Sequence, residues 1–376
     1  MRIERRKFIK DTLLFGISIF LLPEFLRAKK KKVSGDKGFI IKKEAYFYEK
    51  LDEETVRCLL CHNRCILRNG VRGFCRVREP EDGKLYTLVY GNPTAIHVDP
   101  IEKKPFFHFL PGTGAFSIAT AGCNYRCKNC QNWQISQFPP EETVNWYLPP
   151  IEVVKKAIEY KCPSIAYTYT EPLIFYEYTY DSSVIAKKKG IKNVLKTNGA
   201  INREPMEELC EVIDGANVDL KFIDEKIHYK ITKGDLKTVL DGLLILKKKN
   251  VWIEITNLII PTLNDKDIQI RKLVKWIKEN LGREVPIHFS RFYPHYLLKN
   301  LPPTPKKTLI RAREIALSEG MKFVYVGNLP GNVGENTYCP KCGKIIIKRI
   351  GFMVLENKLK KGNCPYCGTK IPGVWN

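Results

Sequence analysis

From Phe116 onward, short apolar runs alternate with longer stretches in which apolar positions recur every three or four residues. The runs 116–120, 164–169, 193–197, 216–220, 251–258, 285–289 and 323–326 have the length and β-branched content of buried strands. The stretches between them, 150–160, 173–189, 204–212, 236–249, 267–279 and 306–318, carry the helical period. Strand–helix alternation of this kind builds βαβ units on a parallel sheet. The expected fold class is therefore α/β, a partial TIM-type (βα)6 barrel, with its chemistry at the C-terminal ends of the strands.

Two smaller segments flank that body. Residues 37–110 are short-stranded and turn-rich, with turn signals at Arg68-Asn69-Gly70 and at Asp82-Gly83. Residues 100–112 read as an extended linker into the barrel. After the last strand, a hairpin is expected over 344–356. The organisation predicted is a basic leader over 1–38, a Cys-rich domain over 39–110, the barrel over 111–330 and a ribbon-like tail over 331–376.

The leader contains Arg5-Arg6-Lys7-Phe8-Ile9-Lys10, an apolar run over 13–22, Pro23 and a basic stretch over 29–32. This order resembles a twin-arginine export signal. The run is too short to span a bilayer comfortably, and no A-x-A cleavage site follows. Export, membrane association through the leader and a mere basic tail all stay open. The net charge of +23 favours anionic partners, and it is unevenly spread, the leader and the tail after Asn336 both being Lys/Arg-rich. No interleaving of aromatic and basic residues supports nucleic-acid stacking.

The 13 cysteines change the picture most, because all but Cys162 and Cys210 fall into three groups. A disulfide framework suits a small secreted chain, whereas close pairs in a large α/β body point to thiolate ligation of metal. The two exceptions read as buried apolar residues. Cys123, Cys127 and Cys130 form C-x3-C-x2-C directly after the first strand of the alternating region. Four thiolates would close a cubane cluster and suit electron transfer; three leave one iron open to a substrate. Cys339, Cys342, Cys364 and Cys367 form two C-x2-C pairs, each followed by glycine, which is the pattern of a closed tetrahedral Zn2+ ribbon. Cys58, Cys61, Cys65 and Cys75 are unevenly spaced and suit zinc or an auxiliary [4Fe–4S] cluster. His62 and Gly73 give this set a knuckle-like look that leans to zinc; an iron site there would serve as an electron relay.

The triad with Gln131-Asn132-Trp133 resembles the activating enzymes of glycyl radical proteins, such as pyruvate formate-lyase activating enzymes. More closely, residues 56–375 are similar to the radical S-adenosylmethionine (SAM) component of the AmmeMemoRadiSam system. The stretches that carry this are 58–65, 99–111, 130–137, 167–172, 196–199, 217–221, 260–265 and 335–343. The resemblance implies a [4Fe–4S] cluster on Cys123, Cys127 and Cys130 whose open iron chelates SAM. One electron then cleaves the sulfonium to a 5′-deoxyadenosyl radical, which abstracts hydrogen from a substrate. It further implies that Glu171 faces the SAM amino group, since Thr168 and Thr170 replace the glycines of relatives there. Thr197, Asn198 and Asp219 would line the SAM pocket. Asn129 departs from the pattern, standing where an aromatic residue commonly touches adenine. His288 reads as structural.

The implied partners are a flavodoxin- or ferredoxin-like reductant and a substrate protein, small molecule or other AmmeMemoRadiSam component. The chemistry favours the cytoplasm, in conflict with an export leader. A different class of reading is a non-catalytic iron–sulfur electron carrier or a zinc-ribbon nucleic-acid-binding protein. The three-thiolate centre argues against it, because a carrier has no need of an open iron.

Overall fold

The structure, a computed structural model, describes residues 35–376. Its centre is an eight-stranded sheet formed by β1 (Ala95–Pro100), β2 (Gly114–Ala119), β3 (Ser164–Tyr167), β4 (Lys192–Thr197), β5 (Gly215–Asp219), β6 (Trp252–Ile259), β7 (Ile287–Arg291) and β8 (Val324–Gly327). Strands β2 to β8 lie in sequence order and are parallel, while β1 adds antiparallel to β2. The sheet stays open, with β1 and β8 at its two ends. The crossovers carry α1 (Pro150–Glu159), α2 (Tyr176–Lys188), α3 (Arg203–Leu209), α4 (Glu225–Thr232), α5 (Leu236–Lys248), α6 (Asp267–Asn280) and α7 (Lys306–Ser318).

Local chemistry sets these elements. Ile118, Ile165, Leu195, Val218, Ile255 and Ile287 are buried, as strands covered on both faces require. Pro150 opens α1, where its missing N–H costs nothing. Asp224 and Asp235 cap α4 and α5 by accepting from the amides of Ile227 and Thr238. The expected strands and helices appear with at most shifted ends, while β1, which joins the sheet from within the expected Cys-rich domain, and α4 are additions.

Residues 100–112 are not an extended linker. Ile101–Lys103 is a 3-10 turn, and Phe106, Phe107, His108 and Phe109 are buried. The amides of Phe107 and His108 donate to the Glu254 carboxylate at 2.8–3.1 Å, and Asn217 donates to the Pro105 carbonyl at 2.7 Å. The segment is a plug packed against the open sheet. Its aromatic run supplies the apolar filling, and the barrel strands satisfy its backbone.

The N-terminal module has two three-stranded antiparallel sheets, Lys43–Glu44 with Lys84–Thr87 and Arg78–Glu81, and Tyr48–Lys50 with Thr55–Cys58 and Ile66–Arg68. A buried ion pair, Arg78–Glu177 at 2.6 Å, fastens it to α2. Asp36–Lys37, part of the expected leader, already pairs with Val144–Asn145. Residues 1–34 of the leader lie outside the described residues, including both arginines of the export-like motif. No helix among the described residues is long and apolar enough to cross a membrane.

The tail forms a three-stranded antiparallel sheet, Thr337–Tyr338, Ile345–Ile350 and Met353–Asn357, which includes the expected hairpin. Buried Arg349 donates to the Phe107 carbonyl at 2.8 Å, and the Val374 amide donates to that of His108 at 2.8 Å. The tail therefore braces the plug.

Candidate active site and metal centres

The C-terminal ends of the strands open on one cavity of about 470 Å3. Cys123, Cys127 and Cys130 line it from the loop after β2. Glu171 lines it from the loop after β3, Thr197 and Asn198 from the end of β4, and Asp219 from the end of β5. The structure thus gathers all seven residues singled out for the cluster and the SAM pocket around one space.

The loop holding the triad is built for close approach. Gly122 has φ +88°, and a Cβ there would stand 2.5 Å from the Cys75 carbonyl oxygen. The Tyr125 amide points at Cys123 Sγ at 3.4 Å, and Ser136 Oγ lies 3.1 Å from Cys130 Sγ. Burial pushes the Cys123 thiol up, with Glu171 and Cys127 adding to it. Burial likewise pushes Cys127 up to about 12, against the pull of Lys221. Buried thiols of this kind ionise when a metal supplies the positive charge.

Glu171 is buried and already spends part of its capacity on the protein. Oε1 accepts from Thr197 Oγ1 at 2.6 Å and from the Leu173 amide at 3.1 Å; Oε2 accepts from the Asn198 amide at 2.8 Å. Burial raises its pKa to about 7 despite these donors. Just before it, Tyr169 holds φ +63°, a left-handed backbone that a non-glycine residue rarely adopts. The Tyr169 carbonyl accepts from Asn132 at 2.6 Å. Asp219 is flanked by Lys196 and by Lys221, the latter at 2.8 Å. Burial would push its carboxyl up, but the two ammonium groups hold it down at about 2.

Several lining residues were not anticipated. Lys103 and Lys104, from the plug, both pair with Asp99. Lys196 and Lys221 join them, so four lysines border the cavity. Phe352, at the tip of the tail hairpin, reaches the same space and is 46% exposed. Asn129 Oδ1 is buried there without a hydrogen-bond partner, an acceptor that a ligand N–H would satisfy. Together with three thiols, this donor set fits a thiolate-bound cluster and a polar ligand beside it. His288 is not part of the cavity lining; its Nε2 lies 2.6 Å from Glu254, deep in the core.

Cys339, Cys342, Cys364 and Cys367 bring their sulfurs within 4.8 Å of one another. Cys339 and Cys367 are 3.5 Å apart, and Cys342 and Cys364 are 3.7 Å apart. Gly343 and Gly368, both at positive φ, turn each knuckle. A hydrogen bond with Thr369 pulls the Cys367 thiol down, to about 6. Cys58, Cys61, Cys65 and Cys75 line a separate small space with Arg78 and Asn63. His62 is not in that lining and packs edge-on against Tyr125, 5.5 Å between ring centres.

A parallel α/β sheet with a three-cysteine loop at the strand ends defines the class. Residues 117–274 match the Radical SAM superfamily, so the chain carries a radical SAM domain. It belongs to one family with Uncharacterized protein MJ0808 of Methanocaldococcus jannaschii, being 47% identical over 88% of this chain and 98% of that protein. Uncharacterized protein MJ0674 of the same organism is 27% identical over 71% of this chain and 75% of that one. Pyruvate formate-lyase 1-activating enzyme of Escherichia coli K12 is 25% identical over 54% of this chain and 89% of its own length. Members of the Radical SAM superfamily are enzymes, and the similarity to the activating enzyme supports the same class for this chain.

Proposed function

We propose that this chain is a radical SAM enzyme working in the manner of an activase, with a [4Fe–4S] cluster on Cys123, Cys127 and Cys130. The observation that carries the reading is the shared cavity: three thiolates, Glu171 and Asp219 face one space at the strand ends. Bound there, the cluster and SAM supply a radical able to abstract hydrogen from a substrate. The protein's part is positional. Glu171, Thr197 and Asn198 present carboxylate, hydroxyl and amide groups to the polar end of SAM. Asn129 offers its unpaired carbonyl to the adenine amino group in place of an aromatic contact. The Lys196–Asp219–Lys221 set places charge beside Cys127.

The substrate is read as a partner protein, served by a low-potential flavodoxin- or ferredoxin-like donor, within an AmmeMemoRadiSam-type system. Phe352 at the cavity and the exposed Ile350, Met353 and Leu355 on the same hairpin support a macromolecular substrate. The tail is read as a structural zinc ribbon on its four close thiols, and the chemistry favours the cytoplasm. The test is anaerobic reconstitution with SAM and dithionite. Formation of 5′-deoxyadenosine, lost in Cys127→Ala, supports the reading. No 5′-deoxyadenosine under strong reductant, with an EPR spectrum unmoved by SAM, returns the protein to the electron-carrier class.

A further inference from the structure

We infer that Cys58, Cys61, Cys65 and Cys75 hold a second, coordinatively closed iron–sulfur cluster rather than zinc, seated behind the triad. The argument begins with spacing. Tetrahedral zinc with Zn–S bonds of about 2.3 Å brings its sulfurs to about 3.8 Å from one another. The tail thiols meet this, and among the described residues they are the set that comes within 4.8 Å. The N-terminal thiols are not a set within that spacing, although all four line one small space. The triad also stays wider than 4.8 Å. A polynuclear core sets its thiolates around a larger body than a single ion does, so the N-terminal set matches the triad and not the ribbon.

A second observation points to an anionic occupant. Arg78 is 1% exposed and lines the same space. Its Nη2 binds Glu177, but its Nε and Nη1 are buried with no partner. Unpaired guanidinium N–H groups in an interior are costly, and thiolate and inorganic sulfide are acceptors that satisfy them. Two further donors already face the sulfurs: Asn63 Nδ2 lies 3.6 Å from Cys61 Sγ, and the Phe74 amide 3.5 Å from Cys65 Sγ. Such contacts are the means by which a protein tunes a cluster's potential. The set supplies four thiolates, so no iron is left open, and the site suits electron transfer.

Its position gives it a role, which rests on the proposed cluster at the triad. Asn63 Nδ2 also donates to the Asn124 carbonyl at 3.2 Å, linking Cys61 to the residue beside Cys123. The Cys75 carbonyl abuts Gly122 on the other side. One electron from a low-potential, one-electron protein donor reduces the second cluster. It then passes to the triad cluster, and the second cluster returns to its oxidised state.

The experiment counts metal in anaerobically reconstituted full-length protein. Wild type should carry about eight iron, two clusters' worth, and one zinc. Cys123→Ala/Cys127→Ala/Cys130→Ala should keep about four iron and an EPR signal that SAM does not move. Cys65→Ser should lose that cluster yet still form 5′-deoxyadenosine with dithionite, while its rate with a flavodoxin-type donor falls at least about tenfold. Should Cys65→Ser fail to fold, the fully reduced wild type still decides, because neighbouring clusters broaden each other's EPR lines. A triad variant with no iron and two zinc, or a wild type with unbroadened lines, overturns the inference. A wild type whose iron is all retained in the triad variant overturns the radical SAM reading and leaves this one standing.

Discussion

Gly122 and Cys75 meet backbone to backbone, the α-carbon of one against the carbonyl of the other, and this contact seats the triad loop on the N-terminal module. Alanine at Gly122 would meet the Cys75 oxygen at 2.5 Å and Val77 at 2.6 Å, at a φ of +88°. Gly190 has φ +73° but nothing within 4 Å, so it isolates the conformational part. Gly190→Ala should cost about 1 kcal/mol, and Gly122→Ala at least about 3 kcal/mol. Urea unfolding measures both, and equal losses would mean that the contact does not matter. Iron uptake at the triad should fall in Gly122→Ala alone.

Asp219 stands between two ammonium groups, and its folded pKa of about 2 lies below the ordinary carboxylate value. Its stabilisation is complete above the unfolded pKa and fades as pH falls through the folded one. Asp219→Asn should therefore lower stability near neutrality, by about 2 kcal/mol for a partly exposed pair. The gap to wild type should narrow below about pH 4 and close only as pH falls through about 2. A constant gap from pH 7 to pH 3 would show that packing, not charge, sets the loss.

Much of the barrel was legible because its strands are apolar runs separated by helical periods. Trp252–Ile259, for example, carries apolar side chains at most of its eight positions. The plug was not legible. Phe106 to Leu110 looks like a linker between prolines until Glu254, Tyr325 and Pro372, all distant in sequence, supply its partners. Helix α4 was missed because only eight residues carry it and most are polar. At the site, the cysteine triad announced itself by spacing, whereas Lys104, Lys196 and Lys221 did not. Lys196 carried a usable signal: a lysine set between buried residues at the C-terminal end of Lys192–Thr197, where the chemistry of such a sheet lies, faces the cavity. The width of a thiolate set cannot be read from spacing alone, which is why the N-terminal cysteines stayed open between zinc and iron.

The tail should lose zinc and grip together. Cys342→Ser should remove one zinc per chain and expose 331–376 to limited proteolysis, because closed thiolate coordination contributes folding energy to a small unit. The loss should spread to the plug, since Arg349 and Val374 hold Phe107 and His108. Hydrogen exchange at the amides of Phe107 and His108 reads this directly. Unchanged protection there would mean that the tail and the plug are energetically separate.

Glu171 brings stability and binding into opposition. Its carboxyl is buried and titrates at about 7, above the ordinary glutamate value, because loss of solvent outweighs the donors from Thr197, Leu173 and Asn198. A raised acid favours folding while it stays protonated, and that advantage is lost as pH rises from the unfolded pKa through the folded one. At pH 8 the ionised carboxylate therefore costs up to about 3 kcal/mol. Glu171→Gln keeps an acceptor and cannot ionise, so it should be more stable than wild type at pH 8. The difference should shrink as pH falls to 5. If the carboxylate meets the SAM ammonium, the same variant should bind SAM more weakly by about 1.5–3 kcal/mol, tenfold or more in affinity. Urea unfolding from pH 5 to 8 reads the first effect, and titration of the reduced cluster's EPR signal with SAM reads the second. A variant that gains stability with unchanged SAM affinity would make Glu171 a strut for the Thr197–Asn198 turn and nothing more. One that loses both would mean that the carboxylate is ionised and paired within the fold, contrary to its raised pKa.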